Sequence, residues 1–193
     1  CIEDLSIIRS LPNITLISPS DSIETVKAIE AALNYNKSTY IRVTGSANNP
    51  IINDADYNFQ IGKNILLHDG NEVCLFATGI ILNEALIAAK SLKKENISVK
   101  VVNVHTIKPI NSEEIIKEID NMKLLLSLEE HNIIGGLGSA IAEVLADNGI
   151  NSKLIRLGVN DEYDKGGDYE YLKKKNNLTS EYIIKTIKKN LSS

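Results

Sequence analysis

Apolar and polar positions along the chain alternate between two periods. Short runs rich in β-branched residues occur at 14–18 (Ile-Thr-Leu-Ile-Ser), 39–44 (Thr-Tyr-Ile-Arg-Val-Thr), 64–68, 73–78, 98–104, 123–129 and 152–157, and each predicts a strand. Between them apolar residues return every three or four positions. Ile23, Val26, Ile29 and Leu33 make one such stripe, behind a start at Pro19-Ser20-Asp21. Leu82, Ala85, Leu86 and Ala89 make another within a helix predicted over 81–94. Leu137, Ala140, Ile141, Val144 and Leu145 give the fullest match, over 136–148, and Ile183, Ile184, Ile187 and Leu191 close the chain over 179–191. A further helix is predicted over 111–120, and residues 2–9 read as a helical phrase. Asp21 with Glu24 has the spacing of a capping box, Asn148-Gly149 suits a left-handed C-cap, and Thr179 or Ser180 caps the last helix.

Strands alternating with helices of 10–15 residues predict an α/β fold, with a three-layer αβα arrangement and a mostly parallel sheet over 64–193. The runs 98–104 and 123–128 are almost continuously apolar, as strands covered on both faces are. Residues 45–63 are rich in Gly, Asn, Asp and Pro and read as a linker. Residues 1–44 are too short to make a sheet unaided, so they read as a partial α/β segment of a larger domain, with an exposed edge strand. His68-Asp69-Gly70 reads as a hairpin turn before the strand at 73–78. Residues 158–177 read as an irregular, polar, exposed stretch.

Composition narrows the function classes. A chain of 193 residues that is 43% hydrophobic and 24% charged is an ordinary globular protein, not a disordered tail or a disulfide-stapled miniprotein. No apolar run approaches the roughly 20 residues of a membrane helix. The net charge of −4, without a basic stripe, excludes a nucleic-acid footprint. The arginines are Arg9, Arg42 and Arg156, so any two-pronged phosphate grip draws on those three. Cys1 and Cys74 make no disulfide framework, which points to a reduced, cytoplasmic setting. The chain opens on charges at Glu3, Asp4 and Arg9 rather than a signal peptide, and it starts without Met, so a fragment or a processed chain is expected.

Two phrases carry candidate chemistry. Glu129-Glu130-His131 is placed just beyond the carboxyl end of a buried strand, the edge at which open α/β sheets bind ligands. Two acids and an imidazole there serve proton transfer, or else they cap the following helix and face solvent or a partner chain. Gly135-Gly136-Leu137-Gly138 then opens a helix, where converging N–H groups bind an anion or where the glycines merely allow a tight, closely packed connection. It is not a dinucleotide fingerprint. His105 ends a strand, as a crevice residue or as a satisfied strand-end histidine. No metal-ligand spacing, nucleophile elbow or phosphate loop occurs, so no catalytic residue and no metal site is assigned.

An ordered series of short phrases resembles the transketolase family. Glu3-Asp4-Leu5, Arg9-Ser10-Leu11-Pro12-Asn13, Ser18-Pro19-Ser20-Asp21, Glu24 and Tyr40-Ile41-Arg42-Val43 are similar to the end of the pyrimidine-binding domain, over residues 1–44. Thr78-Gly79, Glu84-Ala85-Leu86, Thr106-Ile107-Lys108-Pro109, Glu129-Glu130-His131, Gly135-Gly136-Leu137-Gly138 and Leu178-Thr179 are similar to the transketolase C-terminal domain, over 64–193. The resemblance implies thiamine diphosphate and Mg in the complete enzyme, with a two-carbon ketol unit moved between sugar phosphates. It also implies a homodimer whose diphosphate-binding segment, and the rest of the pyrimidine domain, lie outside this chain. The chain then adds scaffold, dimer contacts and a cleft wall, and binds no cofactor alone. Arg42 is the implied substrate-binding residue, and Glu130, His131, Gly135 and Gly136 are cleft or interface candidates. A second Arg that binds sugar phosphate after the Ile-Arg-Val strand is replaced here by Thr44-Gly45-Ser46. Deoxyxylulose phosphate synthase and the β subunit of 2-oxo-acid dehydrogenases share these phrases and remain alternatives, distinguished from transketolase by whether a His-Gln pair precedes Cys1. A free-standing α/β interaction module is the non-enzymatic alternative.

Overall fold

The computed structural model describes residues 1–44, 49–54 and 56–191; Gly45 and Ser46 of the Thr44-Gly45-Ser46 stretch, and part of the 45–63 segment, lie outside them. Helix α1 (Asp4–Ser10) leads into β1 (Ile14–Ile17), α2 (Ser22–Leu33) and β2 (Ser38–Ile41), with β2 parallel to β1. The second sheet holds β3 (Ile65–His68), β4 (Val73–Ala77), β5 (Val99–Asn103), β7 (Leu124–Asn132) and β8 (Leu154–Val159) in the order β3-β5-β4-β7-β8. All of its pairings are parallel except β3 with β5.

Period-two alternation sorts β4 between two cores. Val73, Leu75 and Ala77 face a layer built from α3 (Leu82–Lys93) and α7 (Ser180–Leu191), where they meet Ala85, Leu92, Ile183 and Ile187. Cys74 and Phe76 face the opposite layer, built from α4 (Ser112–Glu118) and α5 (Leu137–Asp147), and meet Ile115, Leu137 and Ile141. Two buried faces explain the near-continuous apolar runs, and the three-layer αβα arrangement follows from them.

Several local expectations are corrected. A three-residue strand, β6 (Thr106–Lys108), joins the first sheet antiparallel to β1, in the order β2-β1-β6. His68-Asp69-Gly70 does not close a hairpin, because β5 lies between β3 and β4. Gly70 is needed there for another reason: a Cβ on it would sit 2.4 Å from the carbonyl carbon of Val99. Strand β7 runs on through Asn132 with a register shift after Leu128, so Glu129-Glu130-His131 belongs to the strand. The polar stretch 158–177 contains a short helix, α6 (Tyr169–Lys175), capped by the Asp168 carboxylate on the Tyr171 N–H at 2.8 Å. The stripe on α2 is formed but not covered: Val26, Ile29 and Leu33 are 55%, 45% and 82% exposed. The α2 face that is buried carries Glu24 and Ala28 instead.

The capping box at α2 is displaced by one residue. Asp21 accepts from the Glu24 N–H at 2.7 Å, but Glu24 reaches back to the N–H of Ser20, at 2.6 Å, rather than to that of Asp21. The same Glu24 carboxylate accepts from Ser20 Oγ, the Tyr57 hydroxyl and Asn103 Nδ2. Asp21 Oδ2 holds the N–H groups of Ile52 and Asn53 at 2.7 and 2.8 Å. Two acids at the start of α2 thus bind the 49–62 segment and the end of β5, a strand of the other sheet.

Candidate functional site

The Gly-rich turn at α5 is occupied by the chain itself. Glu129, fully buried, points its carboxylate at the helix N-terminus and accepts from Leu137 N–H at 2.7 Å and Gly138 N–H at 2.8 Å. Burial raises the Glu129 carboxyl to about 7, against the two N–H groups and the charges of Arg9 and Arg156, which pull it down. A Cβ on Gly136 would lie 1.9 Å from Glu129 Oε2, so only glycine admits the carboxylate. Glu129 thus caps the following helix from inside the protein rather than from a solvent-facing position.

His131 is also fully buried. Its Nδ1 donates to the Asn132 carbonyl at 2.6 Å and its Nε2 accepts from the Ser6 N–H at 3.3 Å. The ring is therefore neutral, and burial holds its pKa below the usual histidine range. Ser6 lies in the first turn of α1, so His131 supplies a partner for one of that helix's free N–H groups. Gly135, at φ +79°, lets α1 approach: a Cβ there would be 2.5 Å from Ser6 Cβ. Arg9 completes the dock through the carbonyls of Gly135 (2.6 Å) and Gly136 (3.3 Å) and the carboxylate of Glu143 (2.5 Å). The candidates His131, Gly135 and Gly136 are thus brought together, and what they hold is α1.

Glu130 and Arg42 face a different space. A cleft of about 820 Å³ lies where the end of β2, the ends of β7 and β8, the chain start and α6 converge, and both residues line it. The Arg42 guanidinium is a three-way tie: Nε pairs with Asp4 Oδ2 at 2.9 Å, and Nη2 donates to the carbonyls of Glu130 (3.0 Å) and Cys1 (3.1 Å). That arrangement leaves Nη1 as its remaining donor. Burial raises the Glu130 carboxyl, while the Tyr169 hydroxyl on α6, Arg42 and Lys173 lower it. Lys173 is itself paired with Glu84 at 2.7 Å and Glu170 at 2.9 Å, and Glu84 also caps α7 through the Ser180 N–H at 2.7 Å.

His105 is buried at the end of β5 and stacks on Phe59 with ring centroids 4.2 Å apart; Nδ1 meets Thr106 Oγ1 at 2.9 Å, and burial lowers its pKa to about 3. It is a strand-end histidine outside the cleft. Asp4, Tyr169 and Lys173 are the cleft residues that periodicity missed. The one usable signal for the last two was Asp168 followed by a Lys-rich last turn. Among the described residues no group of three or more metal-ligating side chains is assembled, and no helix is long and apolar enough to cross a membrane.

Comparison with known proteins gives consistent matches. The family model described as transketolase, C-terminal domain, matches residues 62–183. The chain is 40% identical over 186 residues to a putative transketolase C-terminal section of Methanocaldococcus jannaschii, covering 96% of this chain and 58% of that protein. It is 35% identical over 187 residues to a 1-deoxy-D-xylulose-5-phosphate synthase of Caldanaerobacter subterraneus, covering 96% of this chain and 30% of that protein. Among solved structures it is similar to a split-gene transketolase described as an inactive β4 tetramer, with a TM-score of 0.92 and 33% identity, over all of this chain and 62% of that one. The chain spans less than two thirds of the length of each of these relatives.

Proposed function

Because the chain belongs to the transketolase family, we propose that it is the C-terminal section of a transferase that moves a two-carbon ketol unit between sugars with thiamine diphosphate and Mg. In this reading a partner chain or segment carries the diphosphate-binding domain and the rest of the pyrimidine domain, and the assembled enzyme is a dimer of such units. This chain contributes the α/β scaffold, contacts to the partner and one wall of the substrate cleft. Residues 1–44 are the end of the pyrimidine domain, 45–63 the connection and 64–193 the C-terminal domain. The observation that carries the reading is the uncovered side of the first sheet. β2 is an open edge, and Val26, Ile29 and Leu33 on α2 stand exposed in a row that a further segment would cover.

The described residues do not fit the cofactor by themselves. The Gly-rich turn that offers N–H groups to an anion is filled by Glu129, and no acidic cluster suited to a divalent ion is present among them. Arg42 contributes the two N–H groups of Nη1 to a sugar oxygen on the cleft wall, and Glu130 contributes an acceptor. Mixing this chain with a diphosphate-domain partner should give ketol transfer that neither chain shows alone. Micromolar binding of thiamine diphosphate by the isolated chain, measured by calorimetry, would overturn the division of labour. The corresponding part of a deoxyxylulose phosphate synthase is the second reading, supported by the 35% identity; release of CO2 from pyruvate by the mixture would identify it.

A further inference from the structure

We infer that residues 160–177, the strap that carries α6, swing as one rigid unit about their two ends and gate the cleft, with the ion pair between Lys173 and Glu84 as the latch. The gate goes beyond the transferase reading, since it acts on any occupant of the cleft. Val159 and Leu178, at either end of the strap, are set in the core layer of α3 and α7. Between them no residue from Asn160 to Asn177 is buried, which places the strap at the weakly held end of the fold. Among the described residues the strap makes no backbone–backbone hydrogen bond to another element: the N–H groups of Glu162, Leu172, Asn176 and Asn177 return to Asn160, Asp168, Leu172 and Lys174. Inside, the strap is braced. The Asp164 carboxylate accepts from Asn176 and pairs with Lys175, Asp168 caps α6 through the Tyr171 N–H at 2.8 Å, and a Cβ on Gly167 would lie 2.5 Å from the Tyr171 ring. Bracing within and sparse attachment without confine motion to the ends, Asn160 after β8 and Asn177, in the left-handed region at φ +60°.

Side chains hold the strap down. Asn132 donates to Asp161 at 2.7 Å near the first end, the exposed Tyr163 hydroxyl reaches Glu3 at 3.3 Å, and Tyr169 stands beside Glu130. The Lys173 ammonium meets Glu84 at 2.7 Å, with the two side chains only 10% and 12% exposed. Salt screens such a shielded pair less than an exposed one. Both partners are held in place. Glu170 steadies Lys173 from within the strap at 2.9 Å, and Glu84 is fixed to the body because its other oxygen accepts from the Ser180 N–H at 2.7 Å. The position suits a gate. Tyr169 and Lys173 line both the cleft of about 820 Å³ and a neighbouring recess of about 440 Å³ beside Glu84. Helix α6 is therefore the partition between the two spaces, and lifting it joins them.

The test uses the full chain, which has no Trp and whose Cys74 is fully buried. Tyr171→Trp puts a single indole on α6, at a position 54% exposed, and the exposed Cys1 at the cleft takes a thiol-reactive energy acceptor. Time-resolved energy transfer then reports the distance across the cleft. In this background Lys173→Met keeps the apolar stem and removes the ammonium; it should enlarge the long-distance population about tenfold, the effect of losing one hydrogen bond between charged groups. Glu84→Gln, which still accepts from Ser180, should act in the same direction, and Glu170→Gln, whose partner lies within the strap, should leave the distances unchanged. Equal transfer in the native chain, Lys173→Met and Glu84→Gln would overturn the latch, as would a response to Glu170→Gln as large as that to Lys173→Met. Hydrogen exchange at Leu172 and Asn176 decides whether the strap moves whole. Protection retained in Lys173→Met supports a rigid swing, and protection lost there would overturn it in favour of local melting of α6. None of these readouts requires ketol transfer, so failure of the gate and failure of the transferase reading are told apart.

Discussion

Replacing Glu129 with Gln separates the charge of that side chain from its shape. In the folded chain the carboxyl titrates at about 7, with burial as the largest cause, against a reference value of 4.5. Two effects compete. A carboxylate on two N–H groups at a helix start gains up to about 2 kcal/mol from the helix terminus, whereas removing a charge from water in a fully buried site costs more. The folded state therefore holds the proton more tightly than the unfolded chain does. The stability this adds is complete below pH 4.5 and is lost as pH rises through about 7. At about 1.4 kcal/mol per pH unit, that interval corresponds to a loss of roughly 3 kcal/mol. Gln keeps one acceptor, keeps the volume and does not titrate. Urea unfolding of both proteins at fixed concentration from pH 5 to 8 should show native stability falling relative to Glu129→Gln by about that amount. Parallel curves would refute the reasoning. A native protein that gains on the variant as pH rises would show that the N–H groups outweigh burial.

Other substitutions test the remaining joints. Gly136→Ala should cost about 3 kcal/mol or more by displacing Glu129 from both N–H groups, whereas Gly166→Ala, with open space around it, should shift the melting midpoint little. Glu24→Ala should lower stability by about 3 kcal/mol, because Asn103 Nδ2 and the Ser20 N–H lose a buried acceptor; Tyr57→Phe should cost about 1 kcal/mol in the same denaturation assay. Leu33→Ser, at a side chain 82% exposed, should leave stability within about 0.5 kcal/mol yet weaken association with the partner or with further copies, measured by light scattering.

The parallel core was legible because its inner strands β4, β5 and β7 are rich in Val and Leu and buried on both faces. The helices behind it declared themselves by their stripes. β6 was not legible: three residues with no period find their partner in β1, some ninety positions earlier. α6 has no buried residue, so no stripe could mark it. The α2 stripe was legible as a helix but not as an exposed one, since periodicity reports which side chains share a face and not what covers that face. The buried acids were hidden for the opposite reason. Glu24 read only as a capping-box partner and Glu129 as a crevice acid or a solvent-facing cap, and the donors that make their burial tolerable, Tyr57, Asn103, Leu137 and Gly138, lie far off in sequence or belong to the backbone. Arg42 was legible as a candidate only through the family resemblance, and its engagement by Asp4 depends on how α1 is docked.

β6 has a mechanical consequence. After β5 the chain leaves one sheet, spends three residues in the other and returns through α4 to the first, like a thread passed through two layers of cloth. Sliding the sheets apart would have to unzip the β1–β6 ladder and pull Glu24 off Asn103 in the same movement. Shear between the halves is thereby suppressed, and access to the cleft is governed by the segments around it rather than by a swing of one half against the other.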